Sequence, residues 1–234
     1  MEIHAFQHQP SYRDAIIHGG TAMTHYEIVK QNIGNTELCI VSKHRTIDQA
    51  MVFYDLGERI FAENRASELI EKALQMPADI RWQYIGHLQR NKVRAVLPYI
   101  SCVQSLDSLQ LAETIERECV RIGKTVDALL EVHLALQDTN KTGMTAEEAY
   151  ELLRNAERFP HIQMKGLMVM GPHTDDEDAV RAVFLKANEL FKDMQKQYPP
   201  FQTLSMGMSS DYKIAVECGS TMVRIGTYLF TEEE

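Results

Sequence analysis

The chain is poor in cysteine and tryptophan and has no excess of positive charge. Its 234 residues include 4 Cys, and no two of them form a Cys-x-x-Cys pair. Cys39, Cys102 and Cys218 lie in apolar segments, which predicts buried free thiols and fits a reducing compartment. The net charge of −9 argues against a nucleic-acid surface, which would need a basic patch.

Long hydrophobic runs and targeting segments are also missing. No apolar run approaches the ~18 residues that span a bilayer, and residues 1–5 do not begin a signal peptide. These absences predict a soluble, cytoplasmic protein with no membrane or nucleic-acid partner. The histidines His4, His8, His18 and His25 are not arranged with Cys or carboxylates as metal ligands are, so no metal is assigned.

Strand-like and helix-like segments alternate along the chain. The strand candidates are residues 37–43, 59–64, 81–86, 102–107, 127–135, 163–171, 203–208 and 221–227. Several are continuous apolar runs, which is typical of parallel strands buried on both faces. Helix starts are marked by capping-box patterns at Thr46 and Thr145.

This pattern predicts one α/β domain over residues 1–234, a (β/α)8 barrel of the TIM type. The barrel would span about residues 37–230, after an extra N-terminal helical segment at about 10–33. A doubly wound open sheet is the alternative, and the lack of Gly-x-Gly-x-x-Gly after the first strand disfavours it. We expect no second domain.

Lys43 ends the first predicted strand. The tip of a buried strand is a costly place for a strongly hydrated ammonium. Such a lysine either extends to solvent or forms a Schiff base with a carbonyl group. Function in barrels collects at the C-terminal ends of the strands, so Lys43 is a candidate for covalent binding of an aldehyde.

Two segments of small residues, 205–209 and 224–227, follow or end the last two predicted strands. Barrels commonly bind phosphate at these two places. Gly207 and Gly226 would let a ligand approach the backbone, and hydroxyl side chains in both segments can donate hydrogen bonds. Together with Lys43 on the adjacent first strand, they indicate a lysine-bound, phosphorylated aldehyde cofactor.

Arg224 belongs to the eighth predicted strand, and alternation would turn it inward. A buried arginine needs a partner, which would be either a core carboxylate or the ring nitrogen of a pyridine cofactor. Arginine stays protonated, so that ring nitrogen would remain an unprotonated acceptor. Such a ring is a poor electron sink, which weakens carbanion chemistry.

The chain resembles the pyridoxal phosphate homeostasis proteins, also called the YggS or PROSC family. The strings that match, in order from about residue 37 to 230, are Val41–Lys43, Phe61–Asn64, Tyr84–Lys92, Gly166–Met168, Ser205–Ser209 and Val223–Thr227. Two positions depart from the common pattern. Ala62 stands where glycine is usual, and Ser210-Asp211 stands where an Asp-Asp pair is usual.

The resemblance implies a barrel like the N-terminal domain of alanine racemases, with pyridoxal 5′-phosphate as an internal aldimine on Lys43. It places Arg224 opposite the pyridine nitrogen. The cofactor-binding residues implied by the matching positions are Lys43, Asn64, His87, Met168, Ser205, Met206, Gly207, Arg224, Gly226 and Thr227. No catalytic residue is assigned.

The expected function is to store, protect or deliver the cofactor in vitamin B6 and amino-acid homeostasis, with little or no catalysis. The alternatives are a pyridoxal-phosphate-dependent amino-acid racemase and a phosphate-binding barrel without a cofactor. Expected partners are apo-enzymes in transient contact, and the expected state is a monomer, with a weak dimer as the alternative. Lys141 is either a second aldehyde or phosphate site or a solvated loop lysine.

Overall fold

Eight parallel strands close into a barrel in chain order, and β1 pairs with β8. The computed structural model describes residues 24–134 and 142–231. The strands are β1 (Glu37–Val41), β2 (Ile60–Glu63), β3 (Arg81–Tyr84), β4 (Cys102–Leu106), β5 (Val126–Val132), β6 (Ile162–Val169), β7 (Thr203–Ser205) and β8 (Met222–Ile225). The prediction of a (β/α)8 barrel is therefore confirmed.

Helices precede the barrel and connect its strands. They are α1 (His25–Ile33), α2 (Ile47–Asp55), α3 (Ala66–Gln75), α4 (Arg90–Val96), α5 (Leu109–Ile122), α6 (Ala146–Arg154), α7 (Glu177–Gln197), α8 (Tyr212–Glu217) and α9 (Thr227–Phe230). Helix α1 lies within the segment predicted to be helical at 10–33, and residues 10–23 lie outside the described residues. In the described part of the chain, no helix is both long and apolar enough to cross a membrane.

Threonine caps explain where three of these helices begin. The Thr24, Thr46 and Thr145 side chains each accept a bond from the backbone three residues later, where a Glu or Gln returns a bond to the cap. Each such box satisfies two backbone N–H groups that the helix leaves free. The boxes at Thr46 and Thr145 were predicted from the sequence.

Buried side chains fall into an outer core and a smaller barrel interior. The outer core, between sheet and helices, holds large side chains such as Phe53, Phe61 and Phe184. Two small apolar clusters are separate from it: Cys39, Val41, Ile60, Ala62 and Met222 form one, and Cys102, Leu129 and Met168 form the other. The four cysteines are free and buried, as predicted for three of them.

All eight strands end one to three residues before the ends predicted from the sequence, and three of these ends bear on the candidate site. β1 ends at Val41, β7 at Ser205 and β8 at Ile225. Ser42 N and Met206 N still donate to the neighbouring strands, to Ala62 O and Met222 O, both at 3.1 Å, and the chain then turns away from the sheet. Lys43 and Gly207 therefore lie on loops at the C-terminal rim rather than on strands, and Thr227 is the first residue of α9.

Candidate functional site

Lys43 lies in a tight turn just after β1. The backbone N–H of Ser42 still donates to Ala62 O of β2 at 3.1 Å, and Arg45 N donates back to Ser42 O at 3.0 Å. The Lys43 side chain is exposed, and across residues 24–134 and 142–231 no polar group contacts its ammonium. An accessible primary amine thus stands at the end of the first strand, where it can meet a carbonyl compound.

A buried ion pair holds the residue before Lys43. Lys72 of α3 donates from Nζ to Ser42 O at 2.6 Å and to Glu63 Oε1 at 2.5 Å. The Ser42 hydroxyl donates to the same Glu63 oxygen at 2.7 Å. Glu63 Oε2 is buried without a hydrogen-bond partner among the described residues. The ends of β1 and β2 and the middle of α3 are therefore joined at one point.

Gly226 brings the end of β8 against the end of β1. A Cβ atom at Gly226 would lie 2.8 Å from Val41 O and 3.2 Å from Val41 Cβ. Only glycine allows this approach without displacing the neighbouring strand. The turn formed by Gly226 and the exposed Thr227 is thereby placed beside the strand that leads into Lys43.

The loop after β7 is tied to β8 and to the helix that follows it. Gly207 has φ of 97°, in the left-handed region, and its carbonyl accepts from Arg224 N at 2.9 Å. The Ser209 hydroxyl oxygen accepts from Tyr228 N at 3.2 Å. The loops after β7 and β8 therefore form one unit.

This unit carries backbone donors without acceptors. Within the described ranges, no acceptor contacts the backbone N–H of Ser209, Ser210 or Thr227. Backbone N–H groups gathered in a turn favour an anion. The phosphate site predicted after strands seven and eight thus has suitable donors, mainly from the backbone rather than from side-chain hydroxyls.

Arg224 is buried inside the barrel and is held by acceptors on β6, on β7 and just beyond β6. Its Nη1 donates to Ser205 O at 2.9 Å and to Ser205 Oγ at 2.7 Å. Its Nη2 donates to Val169 O and contacts Met170 Sδ, both at 3.2 Å. Burial lowers the pKa of Arg224, yet a guanidinium stays charged in proteins. Among the described residues it forms no ion pair with a carboxylate, and its partners are two backbone carbonyls, a hydroxyl and a thioether sulfur.

Ser205 lies below the rim, in a chain of buried polar groups. Its hydroxyl donates to Gln104 Oε1 at 2.7 Å, and Gln104 Nε2 donates to Gln83 Oε1. Ser205 is fully buried, and its hydroxyl already has partners. The resemblance implies a phosphate contact for Ser205, and the structure places its hydroxyl between Arg224 Nη1 and Gln104 Oε1.

Asn64 and His87 lie at the ends of β2 and β3. The side-chain oxygen Asn64 Oδ1 is buried and has no partner in the described part of the chain. A Cβ at Gly86 would be 2.3 Å from Asn64 O, so glycine lets the two loops touch. The His87 ring is 55% exposed, and its Nδ1 lies 2.9 Å from Asp107 Oδ2. His87 is therefore held by Asp107 but accessible.

A cavity of about 810 Å³ opens at the ends of β3, β5, β6 and β7. Of the residues expected to bind the cofactor, His87 and Met168 line it. Four others follow strand ends: Lys43 follows β1, Asn64 follows β2, and Gly226 and Thr227 follow β8. Arg224 contacts the cavity residue Met170. The remaining expected residue, Met206, packs in the outer core. Lys141 lies outside the described residues.

Two carboxyl groups of this cavity were not singled out from the sequence. Glu131 is buried, and its Oε1 accepts from Thr142 Oγ1 at 2.8 Å. Asp211 accepts from Met208 N at 2.6 Å. Burial raises the pKa of both carboxyl groups. Alternation of side chains along β5 could have predicted that Glu131 faces the barrel interior. Asp211 was noted only where Ser210-Asp211 departs from the family pattern.

The fold defines a class of barrel that known proteins share. The family described as alanine racemase, N-terminal domain, matches residues 20–234. An alanine racemase structure from Clostridium difficile has a TM-score of 0.76 at 14% identity over 89% of this chain and 56% of its own. At that identity the likeness concerns the fold alone.

Nearer relatives identify the particular family. A pyridoxal phosphate homeostasis protein of Helicobacter pylori is 36% identical over 91% of each chain. One of Aquifex aeolicus is 33% identical over 87% of this chain and 92% of its own. PipY of Synechococcus elongatus, solved with PLP bound, has a TM-score of 0.80 at 30% identity and covers 88% of this chain and 98% of its own. The chain belongs to the pyridoxal phosphate homeostasis protein family.

Proposed function

We propose that this protein binds pyridoxal 5′-phosphate covalently through Lys43 and holds it for storage, protection or delivery. The observation that carries the proposal is the free, exposed Lys43 amine at the end of β1. The turn at Gly226, on the neighbouring strand, packs against that same end. An amine for the aldehyde and donors for the phosphate thus occupy adjacent strand ends.

Other features of the rim fit the same cofactor. Asn64 Oδ1 is a buried acceptor still lacking a donor, and burying such an atom unpaired is costly. The unpaired N–H groups of Ser209, Ser210 and Thr227 suit a phosphate. The relative PipY, 30% identical, was solved with PLP bound. These observations support the proposal from separate directions.

The environment of Arg224 supports a carrier rather than a strong catalyst. When bound, the cofactor supplies an aldehyde that condenses with amines and a ring that withdraws electrons. Arg224 would face the ring nitrogen with a guanidinium that is already oriented by Ser205 and Val169. A guanidinium donates hydrogen bonds but does not give up its proton, so it leaves the ring nitrogen unprotonated and the electron withdrawal weak.

We further propose that the protein is a monomer. It would contact apo-enzymes transiently, and these would receive the cofactor. A recipient would take the aldehyde from Lys43 with its own lysine amine. Exposure of the Lys43 side chain is what such a transfer requires.

The test is the visible absorption spectrum of wild type, Lys43→Ala and Lys192→Ala, with and without added pyridoxal phosphate. Lys192 is an exposed lysine on α7 and serves as the matched control. We expect an imine band in wild type and Lys192→Ala that is absent in Lys43→Ala. Borohydride reduction should then fix the cofactor mass on the peptide that contains residue 43.

Two outcomes would contradict the proposal. A wild type without the band, even after cofactor is added, would leave a phosphate-binding barrel of another kind. Racemisation of an amino acid at the turnover of a dedicated enzyme, about 1 per second or faster, would favour the racemase alternative. Transfer of the cofactor to an apo-enzyme, measured as recovered activity of that enzyme, completes the test.

A further inference from the structure

Helix α3 grips the backbone on both sides of Lys43. Lys72 Nζ donates to Ser42 O at 2.6 Å on one side. Glu68 Oε2 accepts from His44 N at 3.0 Å on the other side. Glu68 and Lys72 are four residues apart on α3 and so lie on the same face of the helix. One helix therefore holds the carbonyl before Lys43 and the amide after it.

The backbone inside this grip is strained. His44 has φ of 60°, and it is the one non-glycine residue with positive φ in residues 24–134 and 142–231. The left-handed conformation is unfavourable for a residue with a Cβ atom. Such strain persists where the surroundings enforce it and is concentrated at functional sites. Here the enforcing contact is the hydrogen bond from His44 N to Glu68.

Docking of α3 does not depend on the Glu68 contact. The helix is already anchored by Leu69, which is fully buried in the outer core. The Glu68 side chain is 22% exposed, and its Oε1 also lies 3.3 Å from Arg65 Nη1 and 3.8 Å from His44 Nδ1. A surface carboxylate could form these charge contacts without also accepting a hydrogen bond from His44 N. The geometry of the Lys43 turn is what the Glu68 contact adds.

We propose that Glu68 and Lys72 are positioning residues that fix the direction in which the Lys43 amine leaves β1. This inference rests on the proposed function of Lys43 as the aldehyde-binding residue. Without the grip, the turn relaxes from the left-handed conformation at His44, and the amine samples directions away from the phosphate donors that include Thr227 N. Binding of the phosphate group would then no longer bring the aldehyde to the Lys43 amine.

The grip also has a pH dependence that follows from Glu68. The hydrogen bond from the His44 backbone lowers the pKa of Glu68, and the charges of His44, Lys72 and Arg65 act in the same direction against partial burial. A carboxyl with a lowered folded-state pKa stabilises the fold above the ordinary Glu pKa. That contribution is lost as the pH falls through the lowered value. In wild type, the rate of imine formation should therefore fall over the pH range in which Glu68 becomes protonated. In Glu68→Gln this fall should be absent.

The experiment compares Glu68→Ala, Glu68→Gln and the control Glu71→Ala. Glu71 is exposed on the same helix, and among the described residues its side chain forms no hydrogen bond or ion pair. The first readout is the rate of imine formation after pyridoxal phosphate is mixed with cofactor-free protein. We expect Glu68→Ala to react about tenfold more slowly, as suits the loss of a hydrogen bond to a charged group. Glu68→Gln, which keeps an acceptor oxygen, should recover most of the rate.

The second readout needs no cofactor. Hydrogen exchange of the His44 amide should become about tenfold faster in Glu68→Ala and remain unchanged in Glu71→Ala. Equal rates and equal exchange in wild type and Glu68→Ala would overturn the inference. A wild type that forms no imine would instead defeat the proposed function. In that case unchanged His44 exchange in Glu68→Ala would also overturn the grip itself.

Discussion

Arg224 and Ser205 are joined by two hydrogen bonds from a single guanidinium nitrogen. Nη1 donates to the Ser205 carbonyl at 2.9 Å and to its hydroxyl at 2.7 Å. The hydroxyl in turn donates to Gln104 at 2.7 Å. The guanidinium is therefore oriented by the barrel itself, before any ligand arrives.

Replacing Arg224 with methionine should destabilise the fold by about 3 kcal/mol. The carbonyls of Ser205 and Val169 would lose their donor, and each buried unpaired acceptor costs about 1–3 kcal/mol. Urea denaturation monitored by circular dichroism measures the change in free energy of unfolding. Arg94→Met, at an exposed position on α4, is the control and should change stability by less than about 0.5 kcal/mol. Equal stability of the two variants would contradict the assigned contacts.

Gly226→Ala should impair cofactor binding by a purely steric route. The new Cβ would meet Val41 O at 2.8 Å, and φ of −125° at Gly226 carries no penalty for alanine. Gly34→Ala is the opposite case, with φ of 54° but nothing within 4 Å. We expect pyridoxal phosphate affinity to fall about tenfold or more in Gly226→Ala, because the two strand ends must separate. Gly34→Ala should lose only about 1 kcal/mol of stability. Titration by absorbance and thermal melts distinguish the two effects.

Lys72→Met should cost about 3–5 kcal/mol of stability, because it leaves the Glu63 carboxylate buried without its partner. The double variant Glu63→Gln/Lys72→Met should be more stable than Lys72→Met, since the uncompensated charge is gone. Chemical denaturation of the three proteins measures this. If the double variant is no more stable than the single one, the pair is not a buried ion pair in solution.

Glu131→Gln should stabilise the protein at neutral pH. Burial raises the pKa of Glu131, so ionising it in the folded state is penalised at any pH above its ordinary value. The amide keeps an acceptor for Thr142 and has no charge. The gain should disappear as the pH falls below the ordinary Glu pKa. Melting temperatures across this pH range are the measurement, with the exposed Glu151→Gln as the control. A constant difference at all pH values would contradict it.

The barrel could be predicted because its signals are local. Apolar runs mark several of the strands, and threonine caps mark helix starts between them, so all eight strands were predicted in the right order. Lys43 and the Gly226 turn could be placed because strand ends in a barrel meet at one rim. These inferences needed only the chain order of the elements.

Side-chain direction and tertiary pairing were harder to predict. Ser205 and Met206 are adjacent, and alternation turns Ser205 into the barrel and Met206 into the outer core. A motif string does not state which of its members faces a ligand. The sequence left two partners open for Arg224, a core carboxylate and the ring nitrogen of a pyridine cofactor. It did not predict the backbone carbonyls of Ser205 and Val169. The bond between Lys72 and Glu63 spans a strand–helix connection that no periodicity reveals.

The contact between Val41 and Gly226 joins the first strand to the last. Chains emerge from the ribosome N-terminus first and fold as domains, so the lysine is made long before the donors that accompany it. A nascent chain lacking β8 would have the amine but no adjoining anion site, and it would hold an aldehyde phosphate poorly. A ligand that binds only the closed form stabilises it by mass action. Because both strand ends are needed, the cofactor would bind to completed molecules, and unfinished chains would not trap the reactive aldehyde.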